Sequence, residues 1–244
     1  MFIEPPKLII ASSGPKTGST LLARMFETAI KDNISENLMC AEMLEAGMLC
    51  WNSVSENEKS KSALSKHYFK KSLRETSEYL FNGKSVAKTT AFTQLKGLSH
   101  LRPEISFLNV YRPWQDTARS LYGFLKYSGT IDSALLKTTT PADTVISYVR
   151  NKIKKVEDNL TDYIPRVSYD EVLEMSKSSI FRRTKFLEWS SIWPWLKIDI
   201  DRVSSDYLTL PFNNRQGYSF LTPEDNQYLD NSIQRFEYNE KLIR

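Results

Sequence analysis

A lysine between two glycines lies where an apolar segment gives way to a helical pattern. Residues 7–13 are apolar and β-branched at their centre, which predicts a short buried strand, and residues 15–20 read Pro-Lys-Thr-Gly-Ser-Thr. A helix is predicted to begin near Gly18 or Ser19, because apolar residues then recur at helical spacing. The first N–H groups of such a helix are unpaired and carry the positive end of its dipole. The segment therefore predicts a binding site for phosphate or sulfate, to which Lys16 adds a full charge.

The nucleoside triphosphate-binding P-loop is the obvious competing interpretation of this segment. That pattern requires Gly-Lys-Ser or Gly-Lys-Thr at the start of the helix. Here Ser19 follows Gly18 directly, and the lysine stands two positions before the glycine. The sequence therefore departs from the P-loop pattern at the residue on which that pattern most depends.

The composition is that of one folded domain. With 244 residues, 41% hydrophobic and 25% charged, the chain fits a single α/β domain over residues 1–244. A net charge of +4 suits an anionic ligand but is too diffuse to predict nucleic-acid binding. The apolar run at residues 8–11 is too short for a membrane span or a signal peptide, and two cysteines make no disulfide framework. We therefore expect a cytoplasmic protein that binds no membrane.

Strand and helix patterns alternate along the chain, which predicts a parallel sheet covered on both faces by helices. Further strands are predicted at residues 85–88, 106–111 and 166–169, and helices at residues 41–51, 56–81, 141–164 and 222–236. Another helix is predicted to begin with Pro113 as its first residue, since proline suits that position.

Residues 15–20 resemble the 5′-phosphosulfate loop of sulfotransferases that use 3′-phosphoadenosine 5′-phosphosulfate (PAPS), whose usual form is Pro-Lys-Ser/Thr-Gly-Ser/Thr-Thr. The resemblance implies that the donor is bound by Lys16, Thr17, Gly18, Ser19 and Thr20. It also implies a P-loop-like sulfotransferase fold, PAPS as donor, its product 3′-phosphoadenosine 5′-phosphate (PAP), and no metal.

Three later segments resemble the same family. Arg112 and Ser120 have the spacing of the family's arginine and serine that bind the 3′-phosphate, and both side chains are good phosphate donors. Tyr169 matches a tyrosine that lies against the adenine in that family, and a buried structural tyrosine is the alternative. Arg215 and Gly217 lie in Asn-Arg-Gln-Gly, which is similar to a late Arg-Lys-Gly segment that closes over the 3′-phosphate.

The catalytic groups are less clearly indicated. Lys88 stands where the family has a second lysine near the phosphosulfate, and the alternative is a solvent-exposed lysine at a strand end. Thr90 replaces the catalytic histidine of the cytosolic members, and the two histidines of the chain, His67 and His100, are predicted to lie on the surface. Some branches use a glutamate after the first helix, so Glu42 is the first candidate for the base, followed by Glu45; a solvated acidic turn is the alternative for both.

The resemblance implies transfer of a sulfuryl group to a hydroxyl or amine of a small molecule. The compact chain resembles small bacterial sulfotransferases that act on natural products, and a cationic acceptor such as an alkaloid toxin would suit the acidic segment around Glu42. Two alternatives stay open. One is a nucleotide kinase-like phosphoryl transferase, which would need Mg²⁺ and an acidic strand end. The other is an inactive nucleotide-binding module, because the usual histidine is missing.

Replacing Lys16 by alanine tests the anion site. We expect Lys16→Ala to lower both the affinity for PAP and the rate of sulfuryl transfer, because the loop loses its full charge next to the helix start. Calorimetric titration with PAP and a transfer assay with PAPS measure the two effects. Unchanged kinetics in this variant would contradict the assignment of Lys16.

Overall fold

The computed structural model of the chain describes residues 5–53, 63–90, 93–128, 141–205 and 221–242. The elements occur in this order: β1 (Lys7–Ser12), α1 (Ser19–Ile30), α2 (Leu38–Ser53), α3 (Ala63–Phe81), β2 (Val86–Thr90), α4 (Leu95–Leu101), β3 (Ile105–Tyr111), α5 (Trp114–Tyr127), α6 (Pro141–Glu157), β4 (Arg166–Ser168), α7 (Tyr169–Lys177), α8 (Ser179–Ile192), a 3₁₀ turn (Pro194–Leu196), α9 (Ile200–Val203) and α10 (Pro223–Leu242). No helix of the described residues is long and apolar enough to cross a membrane.

The four strands found in the described residues form one parallel sheet in the order β2-β1-β3-β4. Side chains alternate across it, so Leu8 and Ile10 of β1 pack under α1, α7 and α8, while Ile9 and Ala11 pack against α2, α3 and α4. A third apolar cluster joins α5, α6 and α10. The prediction of an α/β chain with a central parallel sheet flanked by helices is confirmed.

Most predicted elements are present, with shifted bounds. The strand predicted at 85–88 extends to Thr90, and the helix predicted over 141–164 ends at Glu157, where a short loop leads to β4. The prediction that Pro113 is the first helical residue is wrong by one position: Pro113 has extended backbone angles and serves as the N-cap of α5. The sequence patterns also missed α4 and α8.

A buried arginine joins the amino ends of the strands to α3. Arg102 has no exposed surface, and its guanidinium donates to Glu104, to Glu78 and, at 2.6 Å, to the Ser77 hydroxyl. Glu78 also accepts from Lys7, the first residue of β1. Burial alone would raise the pKa of Glu78, but hydrogen bonds from Lys7 and Arg102 hold that pKa below its usual value. The network therefore fixes the amino-terminal end of the sheet, opposite the loop between β1 and α1.

Removing this arginine is expected to destabilise the fold. Arg102→Met removes the buried guanidinium that Glu104, Glu78 and Ser77 share, so we expect a loss of about 3 kcal/mol in the free energy of unfolding. Urea denaturation measures it. The matched control is Arg24→Met, which removes an exposed arginine paired with Glu27 and is expected to cost less than about 1 kcal/mol. Equal losses in the two variants would contradict the role given to Arg102.

Candidate functional site

The loop between β1 and α1 is a tight turn with two left-handed residues. Lys16 has φ 58° and Gly18 has φ 88°. Ser12, the last residue of β1, stabilises the turn from below, because its hydroxyl lies 2.5 Å from the Thr17 hydroxyl and also donates to the Gly14 carbonyl. The Thr17 side chain is thereby buried within the loop. Of the predicted anion ligands, Thr17 therefore offers its backbone N–H rather than its hydroxyl.

The turn presents the start of α1 without a capping side chain. Gly18 is the N-cap residue and has no side chain to offer, while the first turn of α1 contains no acidic residue. The Gly18 carbonyl accepts the first helical bond, from Leu22 at 3.1 Å, which leaves the N–H groups before Leu22 without intrahelical partners. Together with the helix dipole, they form a site suited to an anion.

Lys88 brings a second ammonium to the same helix start. In the sheet register Lys88 pairs with Ile10, so its side chain emerges on the face that α1 covers. Its Nζ donates to Thr20 Oγ1 at 2.9 Å and lies 3.2 Å from Glu36 Oε2, and only 8% of the side chain is exposed. The alternative of a solvent-exposed strand-end lysine is therefore wrong. The structure brings together Lys88 and Thr20, while their roles toward the phosphosulfate stay predictions.

Glu36 is the site residue that the sequence patterns missed. Ser35 forms a single bridge with Ala87, accepting from the Lys88 N–H at 2.8 Å and donating to the Val86 carbonyl at 3.1 Å. This bridge extends the sheet by one residue and sets Glu36 beside the Lys88 side chain. Glu36 lies in the polar stretch between α1 and α2, where no periodicity signals a backbone pairing with β2.

Arg112 and Tyr169 support the other side of the loop. Arg112 follows β3, and its Nη1 donates to the Lys16 carbonyl at 3.2 Å. Its guanidinium stacks on the Tyr169 ring, with 4.0 Å between Cζ and the ring centroid. That ring lies against Gly18, where an added Cβ would be 2.9 Å from Tyr169 Cδ2. The two predicted ligands therefore meet at the loop and fix its shape.

Tyr169 is positioned by the start of α7. The Ser168 hydroxyl accepts from the Glu171 N–H, and the Glu171 carboxylate accepts from the Ser168 N–H at 2.8 Å, which forms a capping box. Burial raises the pKa of Glu171, but hydrogen bonds from Lys185 and Ser168 outweigh it, and the pKa lies below its usual value. The ionised carboxylate therefore keeps the helix start, and Tyr169 with it, in place.

One face of α5 runs along the loop. Thr117 lies near Gly14, and the Lys16 ammonium lies 3.4 Å from the centroid of the Phe124 ring. Ser120 stands three residues after Thr117 and four before Phe124, so it shares their side of the helix and is buried there. Partial burial lowers the pKa of Lys16 below its usual value. Ser120 therefore lies on the side of α5 that faces the loop, and its role as a ligand of the 3′-phosphate stays a prediction.

The other predicted candidates lie in different surroundings. Glu42 is exposed on α2, and Glu45 is engaged by Thr93, whose N–H donates at 2.9 Å and whose hydroxyl also donates to it. His67 and His100 are both exposed, which confirms their prediction as surface residues. Arg215 and Gly217 lie outside the described residues.

Comparisons with known proteins add no family to these observations. No protein-family model and no curated protein sequence matches the chain. Within the described residues, no group of three or more His, Cys, Asp or Glu side chains is arranged to hold a metal ion. The interpretation of the site therefore depends on its geometry and on the sequence patterns.

Gly18→Ala is expected to abolish anion binding at the loop. The variant combines a left-handed backbone, which costs about 1 kcal/mol for a residue with a Cβ, with a clash against the Tyr169 ring. Gly83→Ala is the matched control, since Gly83 has φ 76° but nothing within 4 Å of an added Cβ. Both variants are expected to lose stability in urea, and only Gly18→Ala to lose PAP binding by calorimetry. Intact PAP binding in Gly18→Ala would contradict this geometry.

Proposed function

We propose that the chain is a PAPS-dependent sulfotransferase with a P-loop-like sulfotransferase fold, acting on a hydroxyl or amine of a small molecule. One observation carries the proposal. The Lys88 ammonium contacts Thr20 in the first turn of an uncapped helix, Glu36 contacts Lys88, and Lys16 stands in the loop just before that helix. Sulfuryl transfer needs this combination of cations for the leaving group and a base for the acceptor proton.

The donor half of the site would suit a nucleotide with two separate anionic groups. The loop N–H groups of Thr17, Gly18, Ser19 and Thr20 and the Lys16 ammonium would hold the 5′-phosphosulfate. A Cβ at Gly18 would meet the Tyr169 ring, so glycine lets the loop pack directly against the residue proposed to lie next to the nucleoside. Arg112 and Ser120 would hold the 3′-phosphate, with Tyr169 next to the nucleoside; Arg215 and Gly217 stay predictions for the same end.

In this proposal PAPS supplies the sulfuryl group, and the side chains of the chain provide charge and a proton acceptor. Lys16 and Lys88 stabilise negative charge on the 5′-phosphate as PAP leaves. Glu36 accepts the proton of the acceptor hydroxyl or amine, and its pairing with Lys88 orients the carboxylate toward the helix start. Glu36 is preferred to Glu42 because it contacts Lys88, whereas Glu42 lies on the exposed side of α2.

Nucleotide binding and transfer test the proposal separately. We would titrate the protein with PAP, with ATP, and with ATP plus Mg²⁺ while following thermal unfolding, then incubate it with PAPS and a panel of small phenols, alcohols and amines. Selective stabilisation by PAP and a product heavier by one sulfuryl group are expected. Stabilisation only by ATP with Mg²⁺ would indicate the phosphoryl transferase instead, and PAP binding without any transfer would indicate an inactive module.

Glu36→Gln tests the base. Glutamine keeps the size of the side chain but cannot take a proton, so we expect kcat to fall by about 10²- to 10⁴-fold while PAP still binds. Glu42→Gln, an exposed glutamate of the following helix, is the matched control and is expected to keep most of its activity. The opposite pattern, with activity lost only in Glu42→Gln, would assign the base to Glu42.

A further inference from the structure

The Lys16 ammonium contacts an aromatic ring outside the loop to which Lys16 belongs. Its Nζ lies 3.4 Å from the Phe124 ring centroid, which is van der Waals contact with the π face. Phe124 belongs to α5, the helix after β3, whereas Lys88 approaches the start of α1 from β2. Because β2 and β3 flank β1 on opposite sides, the two ammonium groups are held on opposite sides of the loop.

We propose that Phe124 is a positioning residue that holds the Lys16 ammonium until an anion reaches the start of α1, when Lys16 exchanges the ring for the anion. The proposal requires anion binding at the loop but not sulfuryl transfer, so it is independent of the reaction proposed above. It gives Phe124 a role that its sequence position does not indicate.

Only the side chain of Lys16 has to move in this exchange. The Lys16 carbonyl is held by Arg112, and the adjacent Thr17 hydroxyl is held by Ser12. Lys16 itself stands at φ 58°, a conformation that persists only where neighbouring contacts impose it. The backbone is thus fixed, while the flexible lysine stem can turn between the ring and the helix start.

The magnitudes favour the exchange when a polyanion is present. A cation–π contact at an exposed site contributes about two- to fivefold to an equilibrium constant. A charge-assisted hydrogen bond to a phosphate oxygen contributes about ten- to a hundredfold. Phe124 is 40% exposed, so its contact belongs to the weaker class. A polyanion therefore displaces the ring from Lys16. Breaking the contact between Lys16 and Phe124 lowers the affinity of the protein for the polyanion only by the strength of that contact.

Nuclear magnetic resonance of the full chain with ¹³C-labelled lysine tests the exchange directly. An ammonium over a ring places the neighbouring methylene protons in its shielding region, so the Lys16 Hε resonances are expected upfield of those of exposed lysines. Lys16→Ala identifies the resonance by its loss. Saturation with inorganic pyrophosphate, or with PAP, is expected to return it to the ordinary position. Phe124→Leu is expected to do so without any anion, and Phe124→Tyr to keep the upfield shift.

Affinity supplies the second measurement. Phe124→Leu is expected to bind pyrophosphate about two- to fivefold more tightly than the unmodified chain, because no ring competes for Lys16. Tyr148→Leu, which removes an exposed aromatic residue of α6, is the matched control and is expected to change neither the resonance nor the affinity.

A Lys16 resonance that is not shifted upfield, or that stays shifted at saturating pyrophosphate, would overturn the proposal, as would weaker binding by Phe124→Leu. A different result would contradict the sulfotransferase proposal. If pyrophosphate releases Lys16 from the ring while PAP does not bind, the exchange stands and the sulfotransferase assignment is wrong.

Discussion

The candidate site depends on a left-handed turn between β1 and α1. Gly18 has to adopt a positive φ for the chain to leave the strand and start the helix over the carboxyl end of the sheet. Contacts on three sides keep the turn in that form: Ser12 from the strand, Arg112 from β3 and Tyr169 from α7. The N–H groups at the helix start point out of this turn. The position of the turn therefore decides which charged side chains lie next to these N–H groups.

The candidate site also depends on a buried lysine of the sheet, Lys88. An ammonium with little exposure is costly unless it is hydrogen-bonded and paired. Lys88 is satisfied by the Thr20 hydroxyl and by Glu36, which is itself 40% exposed. The pair is therefore open to solvent on the carboxylate side only. In the proposed reaction this asymmetry would suit a carboxylate that takes up a proton next to a cation that stays in place.

Several elements could be predicted from the sequence because their signals are local. The buried strand β1 shows as a run of apolar residues, and the loop at Lys16 as a glycine-containing turn before a helical pattern. Glu36 and Phe124 could not be assigned in this way. Glu36 reaches the site through a backbone bridge to a strand about 50 residues later, and Phe124 through the packing of α5 on the loop. Helix α8 was missed because Arg182, buried in it, breaks the apolar pattern while donating to the Val203 and Met175 carbonyls.

The single-residue bridge at Ser35 also has a consequence for association between molecules. Among the described strands, β2 is the last full one on its side of the sheet, and without Ser35 its outer N–H and C=O groups could pair with a strand of another chain. Ser35 occupies the Lys88 N–H and the Val86 carbonyl. The segment that contains Ser35 and Glu36 thus also covers this edge of the sheet. Any change that moves this segment away would expose these backbone groups of β2 to edge-to-edge association with another chain.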